Sequence, residues 1–161
     1  MTLPDLFPFK GDWESYEEGL YQIYLNDIVN AELSFKGLPI RCQYRPESKN
    51  KHFGFWHVIS EGTQEEDRTP DFRRCERIRW IAYLITQAGT HQAISWWENK
   101  RGGNTHVVIW HESENFVVIL AKRNGYYLLK SAYNAEPHRT KTFIKERNSF
   151  LESLKRLKPP Q

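Results

Sequence analysis

THVVIWHE (105–112), FVVILAKR (116–123) and YYLLKSAY (126–133) are three β-branched or aromatic runs, joined by Ser113-Glu114-Asn115 and by Asn124-Gly125. Branched and aromatic side chains suit a pleated, half-buried surface, and Asn-Gly is the strongest short hairpin signal. These runs predict an antiparallel meander. Upstream, Gln92 to Glu98 alternates Ala93, Ser95 and Trp97 against Ile94 and Trp96, adding a strand, and Lys100-Arg101-Gly102-Gly103 reads as a flexible basic turn. Downstream, a loop around Asn134 to His138 leads into a last helix, roughly Arg139 to Lys155. Its Phe143, Phe150, Leu151 and Leu154 are expected to pack on the sheet, and the tail Lys158-Pro159-Pro160 stops it.

At the other end, Asp12 to about Leu33 predicts a first helix, with Leu20, Ile23, Tyr24 and Ile28 facing the core. Gly37-Leu38-Pro39 breaks the chain, and Ile40 to Tyr44 fits a short strand before a polar turn. The pattern is that of an α+β domain: an antiparallel sheet of four strands or slightly more, twisted, with helices on one face and the other face open to bind. A chain of 161 residues is expected to form a single domain, 1–161, with residues 1–36 as an N-terminal helical extension and 139–158 as a basic C-terminal helix.

Composition narrows the function classes. No apolar run reaches membrane length and no charged start precedes a hydrophobic block, so neither a membrane partner nor secretion is expected. Cys42 and Cys75 are far apart without CxxC spacing and read as reduced, buried thiols of a cytoplasmic protein. The net charge of +3 hides an asymmetry: residues 1–35 carry seven acids against Lys10, and residues 139–158 carry seven bases against Glu146 and Glu152. Such a basic end attracts polyanions or is simply a solvated helix face.

The chemistry concentrates in HFGFWHVISEGTQEEDRTPDFRRCERIRW (His52–Trp80), which holds two histidines, Glu61, Glu65, Glu66, Asp67 and five arginines, Arg68, Arg73, Arg74, Arg77 and Arg79. Sites that move protons and hold a phosphate need this mixture. Residues 52–60 alternate as a strand would, with Phe53, Phe55, His57 and Ile59 on one side. Thr69-Pro70 starts a helix that runs to about Gln87, closed by Gly89, with Cys75, Ile78 and Ile85 on its apolar stripe. Arg73, Arg77 and Trp80 fall on a second stripe, which suits an RNA backbone and an unstacked base, or equally a solvated face with a half-buried indole.

HFGFWHVISEG, EEDRTPDFRRCERIRW, WWENKRGG and the final YYLLKSAYN together resemble phage-associated members of the barnase, EndoU, colicin and RelE-like (BECR) nuclease superfamily, over about residues 50–147. The most transferable element is the small-x-aromatic motif Ser131-Ala132-Tyr133. The resemblance implies a metal-independent endoribonuclease, a toxin or phage-related effector, with RNA as substrate and an inhibitor protein, an antitoxin, as a further partner. In that chemistry the ribose 2′-hydroxyl attacks phosphorus, leaving a 2′,3′-cyclic phosphate and a 5′-hydroxyl.

Roles are assigned by chemistry. His57 suits base or acid, since imidazole works both ways near neutrality, and it also reads as a core histidine beside Phe55. Glu61 is placed to orient it or to be the base. Arg68, Arg73, Arg74 and Arg77 are candidates to fork onto the scissile phosphate. Tyr133 and Ser131 suit the phosphate or a flanking base, His138 a second acid, and Trp80, Arg139 and Lys141 substrate binding.

His106 and His111, five apart, fall on opposite faces of a strand, no HExxH or DxD run is present, and no GxGxxG or GxxxxGK loop occurs. Neither metal nor cofactor is therefore expected. The competing function is a non-catalytic RNA- or protein-binding module on the same scaffold.

Overall fold

The computed structural model describes residues 2–62, 64 and 68–157. Helix α1 (Trp13–Tyr24) continues through a π-helical turn (Leu25–Val29) to a hairpin of β1 (Ser34–Phe35) and β2 (Leu38–Arg41). After α2 (Phe53–Ile59) comes a small ladder of β3 (Ser60–Glu61) with β4 (Thr69–Pro70), then α3 (Phe72–Glu76) and α4 (Ile78–Gln87). The meander follows as β5 (Ile94–Arg101), β6 (Asn104–His111), β7 (Phe116–Arg123) and β8 (Tyr126–Asn134), and α5 (Arg139–Leu157) ends the described chain.

The class is α+β, but the sheet is mixed and six-stranded, in the order β1-β2-β8-β7-β6-β5. The expected antiparallel four-stranded core is β5 to β8. The added strands form a hairpin where a break at Gly37-Leu38-Pro39 and a short strand from Ile40 to Tyr44 were expected; the strand is there, starting two residues earlier, and β1 pairs with it. Lys36 and Gly37 both sit at positive φ, 50° and 82°, as a two-residue hairpin of the twist-matched type requires. That turn delivers β2 alongside β8, with Ile40 opposite Tyr127 in the one parallel pairing of this sheet. Gly102 and Gly103, at 57° and 84°, close β5 onto β6 in the same way, so the basic turn is a tight hairpin.

Helices cover both faces, which corrects the expected open face. On β6 and β7, Ile109 and Val118 pack into the larger core with Leu20, Phe55, Ile81 and Leu84 from α1, α2 and α4. Their neighbours Val108 and Val117 point the other way and pack with Trp97, Trp110 and Phe143 of α5. Successive strand residues face opposite sides, so one meander serves two helical layers. On α5 only Phe143 is fully buried; Leu151 and Leu154, expected on the sheet, are 46% and 40% exposed.

Two further expectations change. Residues 53–59 form a helix, because Phe55, Val58 and Ile59 at helical spacing are buried together, and the Phe53 and His57 rings stack one turn apart at 4.3 Å. The long helix starts later than read and is broken. Thr69-Pro70 pairs with β3, Asp71 caps α3 by accepting the Arg73 amide at 3.0 Å, and Arg77 interrupts the helix at φ −101°, ψ 15°.

His111, 7% exposed at the end of β6, lies near the Glu114 amide and the Ser113 hydroxyl through Nδ1, at 3.4 and 3.3 Å. Burial holds its pKa below the usual histidine value, against the pull of Glu114, and burial does the same to His52. The unfolded chain therefore takes up these protons at a higher pH than the folded one, so stability is full above about 6.5 and is lost as pH falls below it. His111→Asn should flatten the fall in urea midpoint between about pH 7 and 5, with His52 leaving a residual slope. An unchanged slope would remove His111 from this role.

Candidate functional site

The β3–β4 ladder is held by two arginines. Arg68 donates to the Ser60 hydroxyl at 3.1 Å, the Ser60 carbonyl at 2.6 Å and the Gly62 carbonyl at 3.0 Å. Arg74, from α3, reaches the same strand, donating to the carbonyls of Ser60 at 2.5 Å and His57 at 3.3 Å. Its Nε lies 3.4 Å from an Asp71 carboxylate oxygen, and its guanidinium sits over the Tyr133 ring at 5.4 Å. One side chain thus ties the end of α2, the edge of β3, the start of α3 and the end of β8 together. The net Coulombic gain from such a pair is modest, but five fixed N–H donors on one planar group set the geometry of everything around it.

Beside this tie lies a hollow of about 560 Å³. Glu61 of β3 enters from one side, and Asp71, Arg73 and Arg74 from the start of α3. Tyr133 and Asn134 from the end of β8, with Glu136, His138 and Arg139 leading into α5, complete the wall. Six side chains expected from sequence, Glu61, Arg73, Arg74, Tyr133, His138 and Arg139, therefore meet here from separate segments. Ser60 and Pro70, one residue from Glu61 and Asp71, turn instead to a second cavity of about 440 Å³ walled by Trp13, Phe53 and Trp56.

The electrostatics are mixed. Three guanidinium groups, Arg73, Arg74 and Arg139, face three carboxylates, Glu61, Asp71 and Glu136. The N-terminus of the 19-residue α5 also opens here, adding the positive end of a long helix dipole. Arg74 and Asp71 are engaged with each other and with the backbone, which leaves Arg73, Arg139, His138, Glu61 and Glu136 as the side chains on the rim; of these all but Arg139 are exposed.

The remaining expected residues lie elsewhere. His57, half-buried on α2, does not line the hollow; its carbonyl serves Arg74 and its ring stacks on Phe53. Trp80 is 5% exposed, donates Nε1–H to the Pro4 carbonyl at 2.8 Å and meets Phe116 edge-on at 5.6 Å, so its face is not available to a base. Arg77 lies over that indole at 5.1 Å and bonds the Arg73 carbonyl at 3.1 Å. Arg68 is committed to the ladder. Ser131 sits mid-strand opposite Ile119, and Lys141 is on the outer face of α5. Glu65, Glu66 and Asp67 lie outside the described residues.

Asp71, Asn134 and Glu136 line the hollow without having been singled out as site residues. Asp71 was visible as a helix-start residue, and the other two follow the motif at the end of the last strand. Burial pushes the Cys42 and Cys75 thiols up to about 11 and about 12, so neither is a thiolate near neutral pH. His106 and His111 both lie on β6, five residues apart, and His111 neighbours His91 with ring centroids 6.4 Å apart.

No family model matches the chain, and neither the curated proteins nor the solved structures contain a match. Among the described residues no helix is long and apolar enough to cross a membrane.

Proposed function

We propose that this hollow is the centre of a metal-independent endoribonuclease of the BECR type, which cleaves RNA by attack of the ribose 2′-hydroxyl. The convergence of Glu61, Arg73, Tyr133, His138 and Arg139 around one space is the observation that carries the reading. A surface that only held phosphate would be served by cations alone, and carboxylates beside the anion would weaken it. Carboxylates and an imidazole beside guanidinium groups are instead what proton transfer at phosphorus requires.

In this reading Glu61 accepts the proton of the 2′-hydroxyl as the 2′-oxygen bonds to phosphorus. The bond from phosphorus to the 5′-oxygen breaks, and protonated His138 supplies the proton to the leaving oxygen. Arg73 and Arg139 hold the non-bridging oxygens, where charge grows on the phosphorane. Arg74 is the positioning residue, keeping the Tyr133 ring and the Glu61 strand in place. The imidazole role expected for His57 passes to His138. Two free cysteines fit action in the cytoplasm, and a toxin of this kind would be held by an inhibitor protein.

The test is incubation of the full chain with mixed RNA in excess EDTA, with the ends of the fragments analysed. Cyclic phosphates and 5′-hydroxyls that vanish in Glu61→Gln are the expected result. Intact RNA with saturable binding would assign the hollow to a non-catalytic RNA-binding module.

A further inference from the structure

The connection from β8 to α5 carries Glu136, His138 and Arg139 into the hollow, and a residue outside the hollow anchors it. Asn115 closes the turn from β6 to β7 at φ 52°, in the left-handed region that Asn enters more readily than most side chains. Its backbone carbonyl accepts the Ala135 amide at 2.9 Å, and its side-chain Nδ2 donates to the Ala135 carbonyl at 2.9 Å. The β7–β8 ladder ends with Phe116 opposite Asn134, so Asn115 adds one further rung. Its own backbone N–H is turned to the Glu112 carbonyl at 3.1 Å, and the side-chain amide donates in its place.

A second partner sets the orientation of that amide. Trp110 donates Nε1–H to Asn115 Oδ1 at 2.9 Å. Exchanging Oδ1 and Nδ2 would oppose two donors at Trp110 and two acceptors at Ala135, so only one orientation satisfies both. Trp110 is fully buried and also meets the Phe143 ring of α5 edge-on at 5.4 Å. Ala135 and Phe143 share one buried cluster with it. Residues 136–142 are thus hung between two anchored points, and the Trp110 indole serves both. Asn134 and Glu136, which line the hollow, are the chain neighbours of Ala135, and Asn134 Nδ2 donates to the Glu114 carbonyl of the same turn at 3.3 Å.

We infer that Asn115 is a positioning residue for the hollow, holding Ala135 and through it setting where His138 and Arg139 stand. The inference rests on the reading of the hollow given above and adds what fixes its geometry. Asn115 is not one of the residues that line the hollow, so it acts through Ala135 and not on the substrate. Asn115→Asp isolates this role. The carboxylate keeps the shape, the tolerance of a left-handed φ and the bond from Trp110, but sets an anionic oxygen against the Ala135 carbonyl in place of a donor. Asn115→Gly keeps the turn and removes the amide altogether.

The test follows the full chain and both variants by amide exchange, by the His138 ring resonances and by cleavage of a labelled single-stranded RNA 12-mer. Exchange at Ala135 should quicken about tenfold more than at Val118 in mid-sheet, the loss of one hydrogen bond acting locally. The His138 resonances should move, and kcat should fall by about ten- to a hundredfold with KM within about twofold, as misplacement of a reacting group by about 1 Å produces. Equal quickening at Ala135 and Val118, with cleavage falling only as the urea midpoint falls, would make Asn115 merely structural and overturn the inference. Unmoved His138 resonances in both variants would overturn it too, as would full cleavage despite a loosened Ala135. The outcomes separate from those of the hollow: Ala135 and His138 changed in both variants, while the unaltered chain never cleaves RNA, keeps Asn115 as the anchor of the hollow and removes the nuclease.

Discussion

His138→Ala is expected to lower RNA cleavage by about a hundred- to ten-thousand-fold, the usual contribution of a positioned general acid, with thermal stability nearly unchanged. His138 is exposed in the turn before α5, so truncating it removes no core contact. The change acts on the leaving group alone: a substrate whose 5′-oxygen departs easily, such as an aryl phosphodiester, should regain most of the loss, because it needs no proton. His57→Ala supplies the contrast. Its ring packs on Phe53 outside the hollow, and the backbone carbonyl that holds Arg74 survives the substitution, so cleavage should change by no more than a few-fold. If the two variants lost activity in the opposite order, the proton donor would be on α2.

The second large effect is structural. Phe143 is 1% exposed and packs against Trp97 and Trp110 at 5.6 and 5.4 Å between centroids. It is the only fully buried side chain that α5 contributes among the described residues. Phe143→Ala should cost about 3–5 kcal/mol in urea unfolding, the range for deleting a buried aromatic ring. The same change should loosen α5 and displace Arg139 and His138, so activity falls with stability. A cost below about 1 kcal/mol would mean that the second face of the sheet is not closed by this helix.

The meander was legible because its strands are dense in Val, Ile and aromatic residues and because Asn124-Gly125 marks a hairpin, with Gly125 at φ 87°. Residues 53–59 were not, since a seven-residue run satisfies both periods. Phe53, Phe55, His57 and Ile59 alternate, yet Phe55, Val58 and Ile59 also fall at helical spacing, and burial under the sheet decides for the helix. The parallel pairing of β2 with β8 joins residues nearly ninety positions apart, beyond any local signal. Distance in sequence also explains Trp80, whose indole is claimed by the carbonyl of Pro4; Phe143, close to β8 in the chain, packs on the sheet as expected, and on the face opposite to the other helices.

For the site, residue type was a better guide than local geometry. Arginines, a carboxylate and the strand-end tyrosine gather as their chemistry suggested, but which arginines point inward depends on tertiary partners. Arg74 is drawn to the Ser60 carbonyl and Arg77 to the Trp80 ring, although both belong to one charged stretch. The histidine of the hollow comes from the turn before α5, where a polar loop residue carries little sequence signal.

The central claim is that one RNA phosphate sits among Glu61, Arg73, Tyr133, His138 and Arg139. Titration of the full chain with a 2′-O-methyl dinucleotide, followed by the ring resonances of its histidines and tyrosines, tests it most directly. The account predicts that His138 and Tyr133 shift together along one saturation curve while His57 stays still. A shift of His57 without His138, or no shift of either Tyr133 or His138 at saturating dinucleotide, would contradict it.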